Sequence, residues 1–127
     1  MLQTSGDLDP IGRRAVERML GEGVCCSADY HDQTASTNTL ALEDLRRNRI
    51  PTDSLPRLYL TDRQTSGRGR HGRDWQSGSG TLTFTLVVGR PGDSPRGANL
   101  MSLAVGVGVA RSVEFEFAPL RAHLKWP

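Results

Sequence analysis

The chain has 127 residues, which is enough for one ordinary domain or for part of a larger one. Its formal net charge of +2 is too small to indicate a nucleic-acid-binding protein. The longest apolar run, 103–110, is much shorter than the roughly 20 residues that span a bilayer, and residues 1–7 lack the basic and apolar regions of an export signal. We therefore expect a cytoplasmic protein without a membrane segment.

The N-terminal part predicts one short helix and then a strand. After a polar lead, Asp9 is an N-cap candidate and Pro10 fits the first helical position, while Gly21 is a stop signal. The expected apolar stripe of this helix is Ile11, Ala15, Met19 and Leu20. Residues 24–30 then read as a strand. A winged-helix DNA-binding domain needs two or three helices, so we expect residues 1–29 to contain no such domain.

A second helix is predicted to begin at Ser36, Thr37 and Asn38 and to run to about residue 48. Its expected apolar side is Leu40, Leu42 and Leu45. Capping of free N–H groups accounts for Ser36 and Thr37 without any ligand. A proline-containing loop over 50–56 leads to a short apolar strand at 58–61.

Residues 64–75, which we call the glycine–arginine loop, combine fixed positive charge with a backbone that carries few side chains. The N–H groups of Gly67, Gly69 and Gly72 are expected to turn inward as an anion-binding nest. Guanidinium groups that suit a carboxylate or phosphate belong to Arg68, Arg70 and Arg73. A flexible basic loop that binds RNA weakly has the same composition, so composition leaves both interpretations open.

The C-terminal part predicts a strand, a helix or strand, and a further strand. Residues 81–88 alternate as a half-buried strand, with threonines on one face that could line a pocket, at Thr81, Thr83 and Thr85. From residue 98 the apolar pattern fits both a helix and a strand. Residues 120–126 alternate as a strand and place Lys125 on its polar face.

Three motifs, in order along the chain, resemble biotin protein ligases. The stretch Gln-Thr-x-Gly-Arg-Gly-Arg-x-Gly-Arg-x-Trp at 64–75 resembles the signature loop of that family. Ser-Thr-Asn at 36–38 resembles the start of its first catalytic helix, and Lys-Trp-Pro at 125–127 resembles the start of its Lys-Trp-Pro-Asn-Asp segment. The resemblance also favours the helix interpretation for 98–114, where the family has a helix of small residues.

The resemblance implies an α+β fold with a mixed, mostly antiparallel sheet and packed helices, similar to class II aminoacyl-tRNA synthetases and biotin/lipoate ligases. Residues 30–127 would be the N-terminal part of this catalytic domain. Because the family's pattern continues beyond Lys-Trp-Pro, we expect the domain to be truncated here, and we expect the 127 residues alone to be inactive.

The implied activity is ATP-dependent attachment of biotin, through biotinyl-AMP, to a lysine of a biotin carboxyl carrier protein, with Mg²⁺ accompanying ATP. The resemblance implies catalytic roles for Arg68, Arg70 and Lys125. It implies biotin contacts for Ser36, Thr37, Asn38, Gln64, Gly67, Arg68 and Thr85. It implies nucleotide contacts for Gly69, Arg70, Arg73 and Trp75.

The histidines lack a metal-ligand spacing, so no metal-ligating set of side chains is expected. Neither DNA nor a membrane is an expected partner, and a homodimer is left open. Two alternatives also stay open: a lipoate–protein ligase of the same architecture, and a non-catalytic module that binds an anion or RNA.

Overall fold

A computed structural model describes residues 1–78, 80–89 and 95–125, without the side chains of residues 70 and 95–99. The chain divides into two compact units, Met1–Gly89 and Arg90–Pro127. The first unit contains strands β1 Leu2–Ser5, β2 Ser27–Thr34, β3 Arg57–Gln64, β4 Gly67–Arg68, β5 Asp74–Trp75 and β6 Thr83–Val87. It also contains helices α1 Pro10–Gly21 and α2 Thr37–Arg46, with 3-10 turns at Thr52–Ser54 and Arg70–Gly72. The second unit contains helix α3 Pro95–Glu116.

The first unit is built on one mixed sheet with the strand order β1-β2-β3-β6. Strand β2 pairs in parallel with both β1 and β3, whereas β3 and β6 are antiparallel. Strands β4 and β5 form a separate antiparallel pair. The α+β class with a mixed sheet is confirmed, and the described strand pairs are two parallel and two antiparallel.

Helix α1 begins as the sequence predicts. One carboxylate oxygen of Asp9 accepts hydrogen bonds from the backbone N–H groups of Ile11 and Gly12, at 2.9 and 3.0 Å. The predicted apolar stripe is only partly right, because Val16 is the buried residue and Ile11 is 73% exposed. Ile11 lies about 140° around the helix from Val16 and so faces solvent. Ala15 is also exposed, while Met19 and Leu20 do pack against the core.

The core of the first unit lies between α1 and one face of the sheet. It consists of Leu8, Val16, Cys25, Ala28, Tyr30 and Leu58. Helix α2 packs against β3 and β6. Of its predicted apolar side, Leu42 and Leu45 are more than 40% exposed and Leu40 is half-buried, whereas Ala41 is buried. The small Ala41 allows the helix backbone to lie close to the sheet.

The strands near the N-terminus differ from the sequence prediction. The polar lead, for which no strand is predicted, forms β1, because it pairs with the edge of β2 even though three of its four residues are exposed. The first predicted strand, 24–30, is displaced, since β2 begins at Ser27 and continues through the polar segment to Thr34. Pairing with β3 extends that segment to its last residue.

The second unit confirms the helix interpretation and contradicts the final strand. Helix α3 includes the predicted range 98–114 and extends beyond it at both ends. Residues 120–125 form no strand, and the last residue of that predicted strand lies outside the described part of the chain. Instead, the Ala122 N–H donates to a Glu114 carboxylate oxygen at 3.1 Å, so this segment folds back along α3. Among the residues that the structure describes, no helix combines the length and apolarity needed to cross a bilayer.

Strand β6 alternates as predicted, but its polar face is the covered one. Thr83 is 8% exposed, whereas Phe84 and Leu86 are 47% and 43% exposed. Directly paired residues of antiparallel strands share a face, and Thr83 and Thr85 are paired with Thr61 and Tyr59 of β3. Since α2 packs on that face, the threonines lie under the helix.

Candidate functional site

The site lies where two parallel strands end at the same edge of the sheet. Thr34 at the end of β2 is paired with Gln64 at the end of β3. The pairing continues past the strands, because the backbone N–H of Thr65 donates to Thr34 O at 3.0 Å and that of Ser66 donates to Ala35 O at 2.9 Å. The glycine–arginine loop therefore leaves β3 directly beside the first turn of α2.

Ser36 is the N-cap of α2, as predicted. Its hydroxyl oxygen accepts the N–H of Thr39 at 3.4 Å, and the residue is 5% exposed. The Ser36 hydroxyl is thus used to cap the helix. The start of the helix also places Thr37 at the edge of the sheet. Thr37 is 2% exposed, and its hydroxyl faces neighbours from two other segments.

Thr37, Gln64 and Thr85 form one hydrogen-bonded network, which we call the threonine–glutamine network. Gln64 Oε1 accepts from the backbone N–H of Thr37 at 2.9 Å and from its hydroxyl at 3.2 Å. The hydroxyl oxygens of Thr37 and Thr85 are 2.9 Å apart. Three segments that are distant in sequence are therefore joined through the side chain of Thr37.

The donors and acceptors of this network can be assigned from the backbone N–H of Thr37, which can only donate. The Gln64 atom that faces Thr37 is therefore the carbonyl oxygen rather than Nε2. The single hydroxyl proton of Thr37 is used towards Gln64, so the Thr85 hydroxyl donates to Thr37 Oγ1. Gln64 Nε2 therefore remains a donor, and Thr85 Oγ1 remains an acceptor.

A cavity of about 260 Å³ opens beside this network. It brings together seven of the residues predicted from the sequence, Ser36, Thr37, Asn38, Gln64, Arg68, Trp75 and Thr85. The remaining lining residues are Thr81, Leu82, Thr83 and Phe84 of the β6 segment. The cavity thus has a neutral polar wall, one guanidinium from Arg68 and the indole side chain of Trp75.

A larger groove of about 800 Å³ adjoins the cavity, and Gln64, Arg68 and Trp75 line both. Gly67 also lines the groove and permits its shape. A Cβ at Gly67 would lie 2.5 Å from the carbonyl oxygen of Trp75 and 2.7 Å from Gln64 Nε2, too close for any side chain. Glycine at this position therefore allows β4 to approach β5 and the glutamine amide.

The expected nest of inward-facing N–H groups does not include Gly69. The N–H of Gly69 donates to the carbonyl oxygen of Arg73 at 2.7 Å, and this bond closes the turn between β4 and β5. Positive φ angles occur at His71 and Gly72, at 60° and 73°, and not at Gly67 or Gly69. The Gly69 N–H, which the sequence analysis expected to bind an anion, is therefore used inside the β4–β5 ribbon.

The charged side chains of the loop are placed differently from one another. Arg68 is exposed and lines both the cavity and the groove, whereas Arg73 is exposed and is not part of either lining. The Arg70 side chain lies outside the described part of the structure. Lys125 is exposed and belongs to the second unit. The roles expected of Arg70, Arg73 and Lys125 remain predictions.

Comparison with known proteins places this site in a family. Residues 30–127 match the biotin/lipoate A/B protein ligase family. The chain belongs to that family. The Ser-Thr-Asn start of α2 and the glycine–arginine loop, which carry the resemblance to biotin protein ligases, both lie within the matched residues and meet where β2 and β3 end.

Individual relatives agree with this membership. The chain is 34% identical over 98 residues to the bifunctional ligase/repressor BirA of Bacillus subtilis, covering 77% of this chain and 29% of the relative. It is 33% identical to the biotin--[acetyl-CoA-carboxylase] ligase of Mycobacterium tuberculosis over 123 residues, covering 93% of this chain and 45% of the relative.

A solved structure of the same kind is also similar. It is the biotin acetyl coenzyme A carboxylase synthetase from Helicobacter pylori with bound biotinylated ATP. The TM-score is 0.59 at 29% sequence identity, and the match covers 79% of this chain and 46% of that one. The chain spans less than half the length of each of these relatives.

Sequence reasoning missed one residue at this candidate site. The Gln64 N–H donates to the Ser77 hydroxyl oxygen at 2.6 Å, so Ser77 fixes the backbone at the end of β3. No local signal in the sequence marks Ser77. Thr83 lines the cavity, as the alternation of threonines in β6 predicts for that face of the strand.

Two buried tyrosines hold the sheet beneath the site. The Tyr59 hydroxyl donates to a carboxylate oxygen of Asp44 at 3.0 Å and so ties β3 to α2. Burial, together with this hydrogen bond, raises the pKa of Tyr59 to about 12. Burial and contacts with Asp62 and Asp32 raise the pKa of Tyr30 above its ordinary value in the same way. Both phenols are neutral at physiological pH.

Proposed function

We propose that this chain carries the biotin-binding surface, and part of the nucleotide-binding surface, of an ATP-dependent biotin–protein ligase. The observation that carries the proposal is the threonine–glutamine network at the wall of the cavity. It leaves a defined donor at Gln64 Nε2 and a defined acceptor at Thr85 Oγ1. Family membership supplies the reaction class, and this pattern supports biotin as its substrate.

The ureido ring of biotin matches the polar wall of the cavity. Its carbonyl oxygen requires donors and its two N–H groups require acceptors. In our proposal Gln64 Nε2 donates to the carbonyl, and Thr85 Oγ1 accepts one N–H. The apolar parts of the ligand would contact Trp75, which lines the same cavity.

The same pattern argues against lipoate, the other substrate considered from the sequence. A dithiolane ring has no N–H or O–H donor and no strong acceptor. Its binding would take water away from Gln64 and Thr85 without giving either a partner. An unpaired buried polar group costs about 1–3 kcal/mol, so a cavity of this kind selects against such a ligand.

The proposed chemistry consists of two displacements. The biotin carboxylate attacks the α-phosphorus of ATP and pyrophosphate leaves, which gives biotinyl-AMP. A lysine amine of the carboxyl carrier protein then attacks the mixed anhydride and AMP leaves. Neither step needs a nucleophile from the ligase, so its residues act by positioning the reactants and neutralising charge.

Arg68 is suited to the first step because it lines both the cavity and the groove. Its guanidinium would contact the carboxylate and the α-phosphate together. Arg70 and Arg73 would add positive charge from the same loop, with Gly69 near the nucleotide, and Lys125 would contribute a compact charge at the phosphate. These four assignments rest on the resemblance to the family.

The resemblance to the family implies that Mg²⁺ accompanies ATP. The residues that the structure describes contain no group of three or more His, Cys, Asp or Glu side chains that could hold a metal ion. Mg²⁺ is commonly held largely by the phosphates of a nucleotide, and we propose that it comes with ATP in that form. No step above assigns it a protein ligand.

The acceptor is proposed to be a biotin carboxyl carrier domain. Since the chain spans less than half of its relatives, we propose that these residues alone bind biotin and do not complete the transfer. Pyrophosphate release and biotin transfer to a carrier domain, each followed with MgATP, test that statement. Transfer at the rate of a complete ligase would contradict it.

The decisive experiment is calorimetric titration of the 127-residue chain with biotin, lipoate and single-stranded RNA. We expect saturable binding of biotin, little or no binding of lipoate, and no RNA binding that falls steeply with salt. Thr37→Val should weaken biotin binding because it breaks the network, whereas Thr39→Val, at an exposed position of the same helix, should not. Salt-sensitive RNA binding without a biotin response would replace this proposal with the anion- or RNA-binding module.

A further inference from the structure

Thr83 carries a buried hydroxyl that the established hydrogen bonds do not use. The residue is 8% exposed, and its Oγ1 has no hydrogen-bond partner within the described residues. A buried hydroxyl without a partner costs free energy, and such groups are rare in folded proteins. Thr83 also lines the cavity, where it stands on the same strand face as Thr85.

The threonines paired with or next to Thr83 on that face already make hydrogen bonds. Thr61, the cross-strand partner of Thr83, donates from its hydroxyl to Arg63 O at 3.1 Å and accepts the Arg63 N–H at 3.3 Å. Thr85 donates to Thr37. Rotation about a single torsion, χ1, exchanges the positions of the Thr83 hydroxyl and methyl among staggered wells, so the hydroxyl can turn towards the cavity.

We propose that Thr83 is a specificity-determining residue that accepts a hydrogen bond from a cyclic urea bound in this cavity. This inference rests on the proposed function. Gln64 Nε2 and Thr85 Oγ1 together satisfy the carbonyl and one N–H of a ureido ring, which leaves the second N–H without an acceptor. Thr83 Oγ1 supplies that acceptor and gains the partner that it otherwise lacks.

The inference predicts opposite effects on ligand binding and on stability. Thr83→Val keeps the shape of the side chain and removes the hydroxyl. It should weaken the binding of a cyclic urea about tenfold, the effect of one hydrogen bond. Because the variant no longer buries an unpaired hydroxyl, the Tm of the ligand-free protein should stay the same or rise. A purely structural hydroxyl would give a lower Tm and unchanged affinity.

The test measures Kd by calorimetry for biotin, desthiobiotin and lipoate, and Tm without ligand, using the 127-residue chain. Biotin and desthiobiotin share the ureido ring, so Thr83→Val should weaken both and leave any lipoate binding unchanged. Thr83→Ser retains the hydroxyl and should bind biotin within about threefold of the wild type. Thr4→Val, the same change at an exposed position of β1, is the matched control and should bind normally.

The outcomes separate this inference from the proposed function. If the wild-type chain does not bind biotin, the proposed function fails, and this inference fails with it. If the wild type binds biotin and Thr83→Val binds it equally well, only the role of Thr83 is overturned. Equal loss in the valine and serine variants would also overturn it, because the hydroxyl would then not be the cause.

Discussion

Replacing Gln64 by glutamate should separate ligand recognition from folding. Gln64 Oε1 accepts both hydrogen bonds from Thr37, and a carboxylate can accept the same two. The substitution therefore preserves the contact with α2 while it replaces the Nε2 donor by an acceptor oxygen that carries negative charge. The carbonyl of a bound ureido ring would face that oxygen.

The two consequences differ in size. Loss of the donor leaves the ligand carbonyl buried without a partner, which costs about 3 kcal/mol and corresponds to a roughly 150-fold higher Kd for biotin. Stability should change by less than about 1 kcal/mol, because the Thr37 bonds remain and a negative charge near the first turn of α2 is favourable.

Calorimetry with biotin and urea unfolding followed by circular dichroism measure these two quantities. Gln3→Glu is the matched control, because it introduces the same charge at an exposed position of β1 and should affect neither. Wild-type biotin affinity in Gln64→Glu would show that Nε2 does not contact the ligand. A large loss of stability would show that the donor and acceptor assignment in the network is wrong.

Three further changes test other parts of the structure. Gly67→Ala should open the β4–β5 ribbon, because its Cβ would lie 2.5 Å from Trp75 O. Biotin binding should therefore weaken at least tenfold. An unchanged affinity would show that β4 and β5 do not approach each other this closely. Arg68→Ala, in a complete ligase, should slow adenylate formation, because the lost charged contact raises the free-energy barrier by about 1.5–3 kcal/mol. Arg68→Lys should restore the rate poorly, because an ammonium lacks the planar fork of a guanidinium. Normal pyrophosphate release by the alanine variant would refute this role. The pKa of Tyr59 is raised to about 12 in the folded protein. Its contribution to the free energy of unfolding is therefore complete below pH 10, the pKa of an unfolded tyrosine, and is lost as pH rises through 12. Tyr59→Phe should therefore lose less stability than the wild type between pH 10 and 12 in urea titrations, and parallel curves would disprove the assignment.

Local signals located the helices and the members of the site. Asp9 and Ser36 cap α1 and α2 through side chains that act within three residues of their own position, so sequence alone reveals them. The motif residues from Ser36 to Trp75 were likewise identified in advance. Six of them line one cavity together with Thr85, although no local pattern says that they meet.

Tertiary structure decided everything that depends on a distant partner. Strand β1 exists because β2 offers it an edge, and residues 120–125 are not a strand because they fold back on α3 through Glu114. The Gly69 N–H was assigned to an anion but bonds to Arg73 across a turn. The partners of β1 and of residues 120–125 lie outside those segments, whereas Arg73 lies in the same loop as Gly69 and is brought to it by the turn between β4 and β5.

The clearest division between the two sources of information is in β6. Its alternation of threonines with apolar residues was readable, and it correctly defined two faces. Which face is covered depends on α2, which packs on the side of Tyr59 and Thr61 and so places Thr83 and Thr85 at the cavity. A period of two residues specifies that two faces differ, whereas burial is set by whatever the rest of the chain packs against each face.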